Sequence, residues 1–131
     1  MKIIPLLPVL FGLAVAAQAQ TPGEPRRIDI ALSNFKYAPN RIVLHHGDSY
    51  VLHFANQASG GHDFVAKAFF DAARVDPRDA GKIEGGEVAL SGGENLDVRL
   101  TAPAQAGAIY KVHCSHFMHQ TFGMTGEIVV E

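Results

Sequence analysis

Cys114, His119 and Met124 follow one another at five-residue spacing in the segment Cys-Ser-His-Phe-Met-His-Gln-Thr-Phe-Gly-Met, residues 114–124. A thiolate, an imidazole and a thioether are soft or borderline donors. Together they suit copper that alternates between Cu(I) and Cu(II). Magnesium and calcium select oxygen ligands instead. Zinc accepts thiolate and imidazole, but a weak thioether adds little to it. A trigonal copper site requires a second imidazole, and the best placed is His62, in Gly60-Gly61-His62-Asp63-Phe64. A Cys/His nucleophile pair is a poorer reading, because no orienting residue and no substrate-binding subdomain accompany it. A lone cysteine on an apolar strand face is often just a small buried hydrophobe. The spaced histidine and methionine argue for chemistry here.

The surroundings of the cysteine strengthen that argument. The chain has 131 residues, 7 histidines and 1 cysteine. Lys2, an apolar stretch over residues 3–17 and the small-x-small triplet Ala17-Gln18-Ala19 read as a signal peptide over residues 1–19. The stretch is short and proline-broken for a membrane anchor, and no second apolar run follows it. An exported, periplasmic protein is expected, with no membrane span after cleavage. Oxidising compartments favour paired cysteines. A single cysteine cannot pair within its own chain, so a metal-ligand role gains weight. Net charge is -2, which lacks the basic footprint of a nucleic-acid binder. Length implies one domain.

The elements that must position these donors read as short strands. Residues 20–27 form a loose leader, and the folded domain spans residues 28–131. Ile28, Ile30 and Leu32 alternate with polar or small residues, the period of a half-buried strand. Residues 41–45 and 50–54 alternate likewise around the Gly47-Asp48 turn and are expected to pair as a hairpin. Residues 56–61 form a loop. Val65, Ala68, Phe69 and Ala72 recur at helical spacing, so a short helix is expected within residues 64–74. Residues 76–86 read as an irregular loop. Further strands are expected at 87–90, 96–100, 108–114 and 126–130. The alternation at 108–114 puts Tyr110, Val112 and Cys114 on one face and His113 on the other. Such strands, separated by turns, indicate an all-β Greek-key sandwich with a short helical and loop insert over about residues 66–86.

With these motifs in place, the chain resembles the cupredoxins, the plastocyanin- and azurin-like type 1 blue copper proteins. The resemblance rests on Phe35-Lys-Tyr-Ala-Pro39-Asn-Arg-Ile42-Val-Leu-His-His-Gly47-Asp48, on Asn56 followed by a short loop into His62-Asp63-Phe64, and on Cys-x4-His-x4-Met from Cys114 to Met124. It implies that His62, Cys114 and His119 are trigonal ligands to one copper ion and Met124 is a long axial ligand. It also implies that the Gly61 carbonyl can approach from the opposite side, and that Asp63 and Ser115 tie the two ligand loops together. Asp63 could instead cap the following helix. His116, at Cys-x-His, competes with His119 for the ligand role.

Two functions compete, and a third, a redox enzyme such as a copper reductase, is the poorer reading because it would need a second catalytic metal or an open coordination position. The first is a one-electron carrier, not an enzyme, acting as a monomer between redox proteins such as a cytochrome and a copper oxidase or reductase. Phe117, Met118, Phe122 and Gly60 would form its docking patch. The second is copper sequestration, tolerance or delivery, with a copper-handling protein as partner. His45, His46, His113, His116 and Met118 motivate it, the histidines as a second, weaker copper site; the plainer reading is that these histidines simply face solvent.

Overall fold

Alternating inward and outward side chains build the protein as two facing β-sheets. The computed structural model describes residues 23–116 and 124–131. The strands are β1 (Arg26–Ser33), β2 (Lys36–Ala38), β3 (Arg41–Leu44), β4 (Ser49–Asn56), β5 (His62–Val65), β6 (Arg74–Val75), β7 (Glu87–Leu90), β8 (Asn95–Thr101), β9 (Ile109–His113) and β10 (Thr125–Val130). One sheet has the order β2-β1-β4-β8-β6 and the other β3-β10-β9-β5-β7. The architecture is the expected all-β sandwich. Residues 1–19, expected to be a signal peptide, together with Phe117, Met118, His119 and Phe122, lie outside the described residues. β1 starts at Arg26, two residues inside the expected leader.

Inward residues of both sheets make one core. Ile30, Leu32, Leu52, Phe54 and Val98 come from the first sheet; Phe64, Val88 and Ile128 come from the second. Each such side chain contributes about 1.5–3 kcal/mol when fully removed from water. Phe64 is at the centre, edge-on to Tyr37, Phe54 and Phe70 at centroid separations of 5.5, 5.0 and 6.3 Å.

The expected hairpin of residues 41–45 and 50–54 does not form. β3 pairs in parallel with β10, whereas β4 lies between β1 and β8 in the other sheet. The turn between them crosses from sheet to sheet, so Ile42 and Leu44 face Tyr50, Leu52 and Phe54 through the core. Gly47 takes φ +73° there, and the Tyr50 hydroxyl accepts the His45 amide at 2.8 Å. Alternation reveals which side of a strand is apolar; it does not reveal the strand's neighbour.

The expected short helix of the insert is present, with a different buried face. Val65 belongs to β5, and the helix, α1, covers Lys67–Ala72. Its buried residues are Phe69 and Phe70, while Ala68 and Ala72 are exposed. Phe69 packs edge-on against Tyr110 of the second sheet at 5.7 Å. β6 then joins the first sheet as an edge strand beside β8. The insert thus bridges both sheets along one side. Asp79, 1% exposed, secures it by accepting from the Arg99 amide at 2.9 Å and from Lys82 Nζ at 2.8 Å.

Burial alone would raise the Asp79 carboxyl, but hydrogen bonds from Lys82 and Arg99 outweigh it and hold the group below its ordinary value. A depressed carboxyl stabilises the fold above its unfolded pKa, and that stability disappears as pH falls through the folded one. Asp79→Ala should therefore cost about 1–3 kcal/mol near neutral pH. Chemical denaturation should show the loss shrinking in acid.

Candidate metal centre

All the described donors collect at one end of the sandwich. In β5, His62 and Phe64 point inward and Asp63 points outward, as strand alternation requires. In β9, Val112 points inward and His113 does not, so Cys114 continues the inward face. β9 and β5 pair through Val65 opposite His113. The inward imidazole and thiol therefore come from adjacent strands, and His62 Nδ1 lies 4.0 Å from Cys114 Sγ. Met124 stands just before β10, and its carbonyl accepts the Cys114 amide at 3.1 Å. The segment that carries His119 thus begins and ends at one backbone bond. His62 and Cys114 are each 1% exposed and Met124 0%.

These atoms fit a copper ion. The thiol and the imidazole lie close together at one buried end of the core, and both are donors that a copper ion would accept. The buried thioether adds a soft donor and little charge. Burial pushes the Cys114 thiol up, an effect only partly offset by backbone hydrogen bonding. A metal must displace its proton.

A polar layer holds the donors from behind. Asp63 caps no helix, since the residue before α1 is Ala66 and makes no side-chain cap. Its carboxylate instead accepts the Ser115 amide at 2.7 Å and the Ser115 hydroxyl. That joins β5 to the residue following Cys114. Burial of Asp63 favours the neutral acid, but hydrogen bonds from Glu87 and Ser115 prevail and keep it below its ordinary value.

Four further residues contribute to this layer. Asn34 Oδ1 lies 3.3 Å from His62 Nε2. The Tyr37 hydroxyl donates to the Asp63 carbonyl at 2.6 Å, and its burial favours the protonated phenol. Asn56 Nδ2 donates to the carbonyls of Gly60, Leu90 and Ser91 at 2.9, 3.2 and 3.0 Å, which shapes the loop leading into His62. Glu87 donates to Asp63 and keeps its proton up to about 7, chiefly through that bond and then through burial. Nothing in the local sequence marks Asn34 or Glu87. Asn56 and Tyr37 lie within the segments that carried the family resemblance.

The remaining histidines are scattered. His116 sits at the rim, its ring 6.1 Å from that of His62 and its Nε2 4.0 Å from Asp63. Its Cε1 would lie 3.3 Å from a Cβ placed on Gly61. His45 and His46 stack at 4.4 Å beyond the far end of β10, where His46 donates to the Glu131 carbonyl. His113 faces away from Cys114. Among the described residues, no group of three His, Cys, Asp or Glu is placed to hold a metal.

Comparison with known proteins agrees with this chemistry. Residues 26–131 match the family model described as copper binding proteins of the plastocyanin/azurin family. Reduced auracyanin from Roseiflexus castenholzii superposes with TM-score 0.59 at 21% identity, over 83% of this chain and 99% of that one. Auracyanin A from Chloroflexus aurantiacus, a blue copper protein, gives 0.56 at 18%, over 82% and 100%. The blue copper oxidase of Nitrosomonas europaea gives 0.59 at 17%, but only 39% of its length is covered. Curated protein sequences yield no match.

The carboxyl pair makes stability depend on pH. The folded chain holds the Glu87 proton up to about 7, against an ordinary value of 4.5. Between those values the folded state binds more protons, so its stability falls as pH rises. Glu87→Gln should flatten that fall in melting curves of the metal-free protein taken from pH 5 to 8. Asp63→Ala should return the Glu87 carboxyl, followed by NMR titration, toward its ordinary value of 4.5.

Proposed function

The chain belongs to the plastocyanin/azurin family of copper-binding proteins, and we propose that it is a periplasmic type 1 copper protein that carries single electrons between redox partners. The observation that carries this reading is the buried, inward-facing pair of His62 and Cys114, with Met124 closing the same end of the core. His62, Cys114 and His119 would hold one copper ion, with Met124 as a weak fourth donor. Copper bound there would supply the Cu(I)/Cu(II) couple. The protein's part is to keep the donors still: β5 and β9 fix the imidazole and thiol, Asp63 locks their loops, and the apolar core excludes water. Donors that are already placed need little rearrangement when charge changes, and their shell tunes the potential.

In this reading the protein is a non-enzymatic carrier acting as a monomer. A cytochrome, a copper oxidase or a reductase would be its partner, docking briefly through a small apolar surface formed by Phe117, Met118, Phe122 and Gly60. Export is supported by the sequence of residues 1–19. Within the described residues no helix is long and apolar enough to cross a membrane.

A second reading, copper sequestration or delivery, is favoured by His116. Its side chain is 43% exposed and stands beside the site. An accessible imidazole at the rim suits handing a metal ion in or out.

Copper titration followed by visible and EPR spectra separates these readings. A carrier should bind one Cu(II) per chain with an intense thiolate-to-copper band, and Cys114→Ser should abolish that band. Met124→Leu should keep the band and raise the reduction potential. More than one tightly held copper, or rapid Cu(I) transfer to an acceptor, would instead favour handling. A band that survives Cys114→Ser would refute the ligand assignment.

A further inference from the structure

We propose that Asn34 is a positioning residue for His62: its side-chain oxygen fixes the imidazole in the tautomer that turns the Nδ1 lone pair toward Cys114. The inference rests on the copper-site reading and adds a residue to it. The His62 ring is 1% exposed and presents its two nitrogens to different neighbours. Nδ1 lies 4.0 Å from Cys114 Sγ, and Nε2 lies 3.3 Å from Asn34 Oδ1. A neutral imidazole carries one N–H and one lone pair, and the bond made by one nitrogen decides the state of the other. An amide oxygen accepts and cannot donate. Facing Nε2, it holds the proton there and leaves Nδ1 available to a metal.

The turn that carries Asn34 is built to hold this position. Ser33 pairs with Lys36, so Asn34 and Phe35 alone connect β1 and β2. Phe35 takes φ +62°, a left-handed conformation that is unfavourable for a bulky residue. Such strain persists where surrounding structure imposes it. Leu32 and Tyr37 are buried on either side of the turn, and the Tyr37 hydroxyl grips the Asp63 carbonyl at 2.6 Å. The hairpin belongs to the first sheet, while His62 and Asp63 belong to the second. It therefore touches the ligand strand twice from across the sandwich. Because Tyr37 and the core anchor the hairpin independently, the Asn34 side chain can be altered without unfolding it.

Asparagine is also a common turn former, so the test must separate the turn from the acceptor. Asn34→Gly keeps a turn-compatible residue and removes the oxygen; Asn34→Asp keeps an acceptor. Metal-free wild type and Asn34→Asp should each show a single Nε2-protonated His62 in nitrogen-detected NMR, and Asn34→Gly should show mixed tautomers. With Cu(II), Asn34→Gly should bind about 10–100-fold more weakly, with a shifted thiolate-to-copper band, and Asn34→Asp should remain within a few-fold of wild type. An unchanged tautomer and affinity in Asn34→Gly would overturn the proposal. Equal losses in both variants would overturn it as well, because the turn and not the acceptor would then matter. Absence of any thiolate band in wild type would refute the copper reading itself, and the metal-free NMR would still decide the role of Asn34.

Discussion

One buried carboxylate keeps the two halves of the site in register. Asp63 lies on the outer side of β5, directly behind the strand that turns His62 inward, and it accepts both the amide and the hydroxyl of Ser115. Burying a charge is costly unless its hydrogen bonds are complete. Here Ser115 and the protonated Glu87 supply them. A poorly satisfied Asp63 would loosen β5 from the loop after Cys114. The inward imidazole and thiol would then lose their fixed separation. Donor placement in the core is thus secured by polar contacts on the opposite face of the same strands.

The apolar core and the polar layer have separate tasks. Phe64, one residue beyond Asp63, ties β5 to Tyr37, Phe54 and Phe70. That packing is non-directional and sets only the depth at which the strand rests. Orientation comes from groups with geometry: the amides of Asn34 and Asn56 and the phenol of Tyr37. Asn56 closes its loop against the turn after β7, where a Cβ on Gly92 would lie 2.0 Å from the Ser59 carbonyl. Close approach of these two loops leaves the residues before His62 little freedom to shift.

Much of this was legible in the sequence, for a definable reason. Strands with one apolar face announce themselves by alternation, so β1, β8 and β9 stand out. The inward course of Cys114 and the outward course of His113 follow from the same period. β5 does not stand out, because polar His62 takes an inward position and apolar Val65 an outward one, so its four residues do not alternate. The 41–45 and 50–54 segments were expected to pair because a turn links them, yet their apolar faces meet across the core. The helical spacing of Val65, Ala68, Phe69 and Ala72 locates the helix but not its buried face, since Val65 is strand, both alanines are exposed and Phe70 is buried beside Phe69. Asn34, Asp79 and Glu87 read as ordinary polar loop or surface residues. Their importance comes from partners 28, 20 and 24 positions away in the chain, and no local pattern encodes a contact of that range.

Such long-range polar contacts bear on why the donors can be arranged before any metal arrives. An imidazole and a thiol at the end of an apolar core give up hydration, and burial already pushes the Cys114 thiol toward its protonated form. The fold tolerates this because each group has a polar neighbour: the Asn34 amide at one edge of His62 and the thiol itself at the other. Thiol and imidazole can satisfy one another at low charge in the metal-free chain. Replacing the thiol proton by a metal ion then changes the charge inside a frame that stays put. A metal that bound the folded chain and not the unfolded one would add to its stability by linkage, about 4.1 kcal/mol at a thousandfold excess over the dissociation constant. Donors held in such a frame would move little when the charge changed again, which is the physical requirement of the electron exchange proposed above.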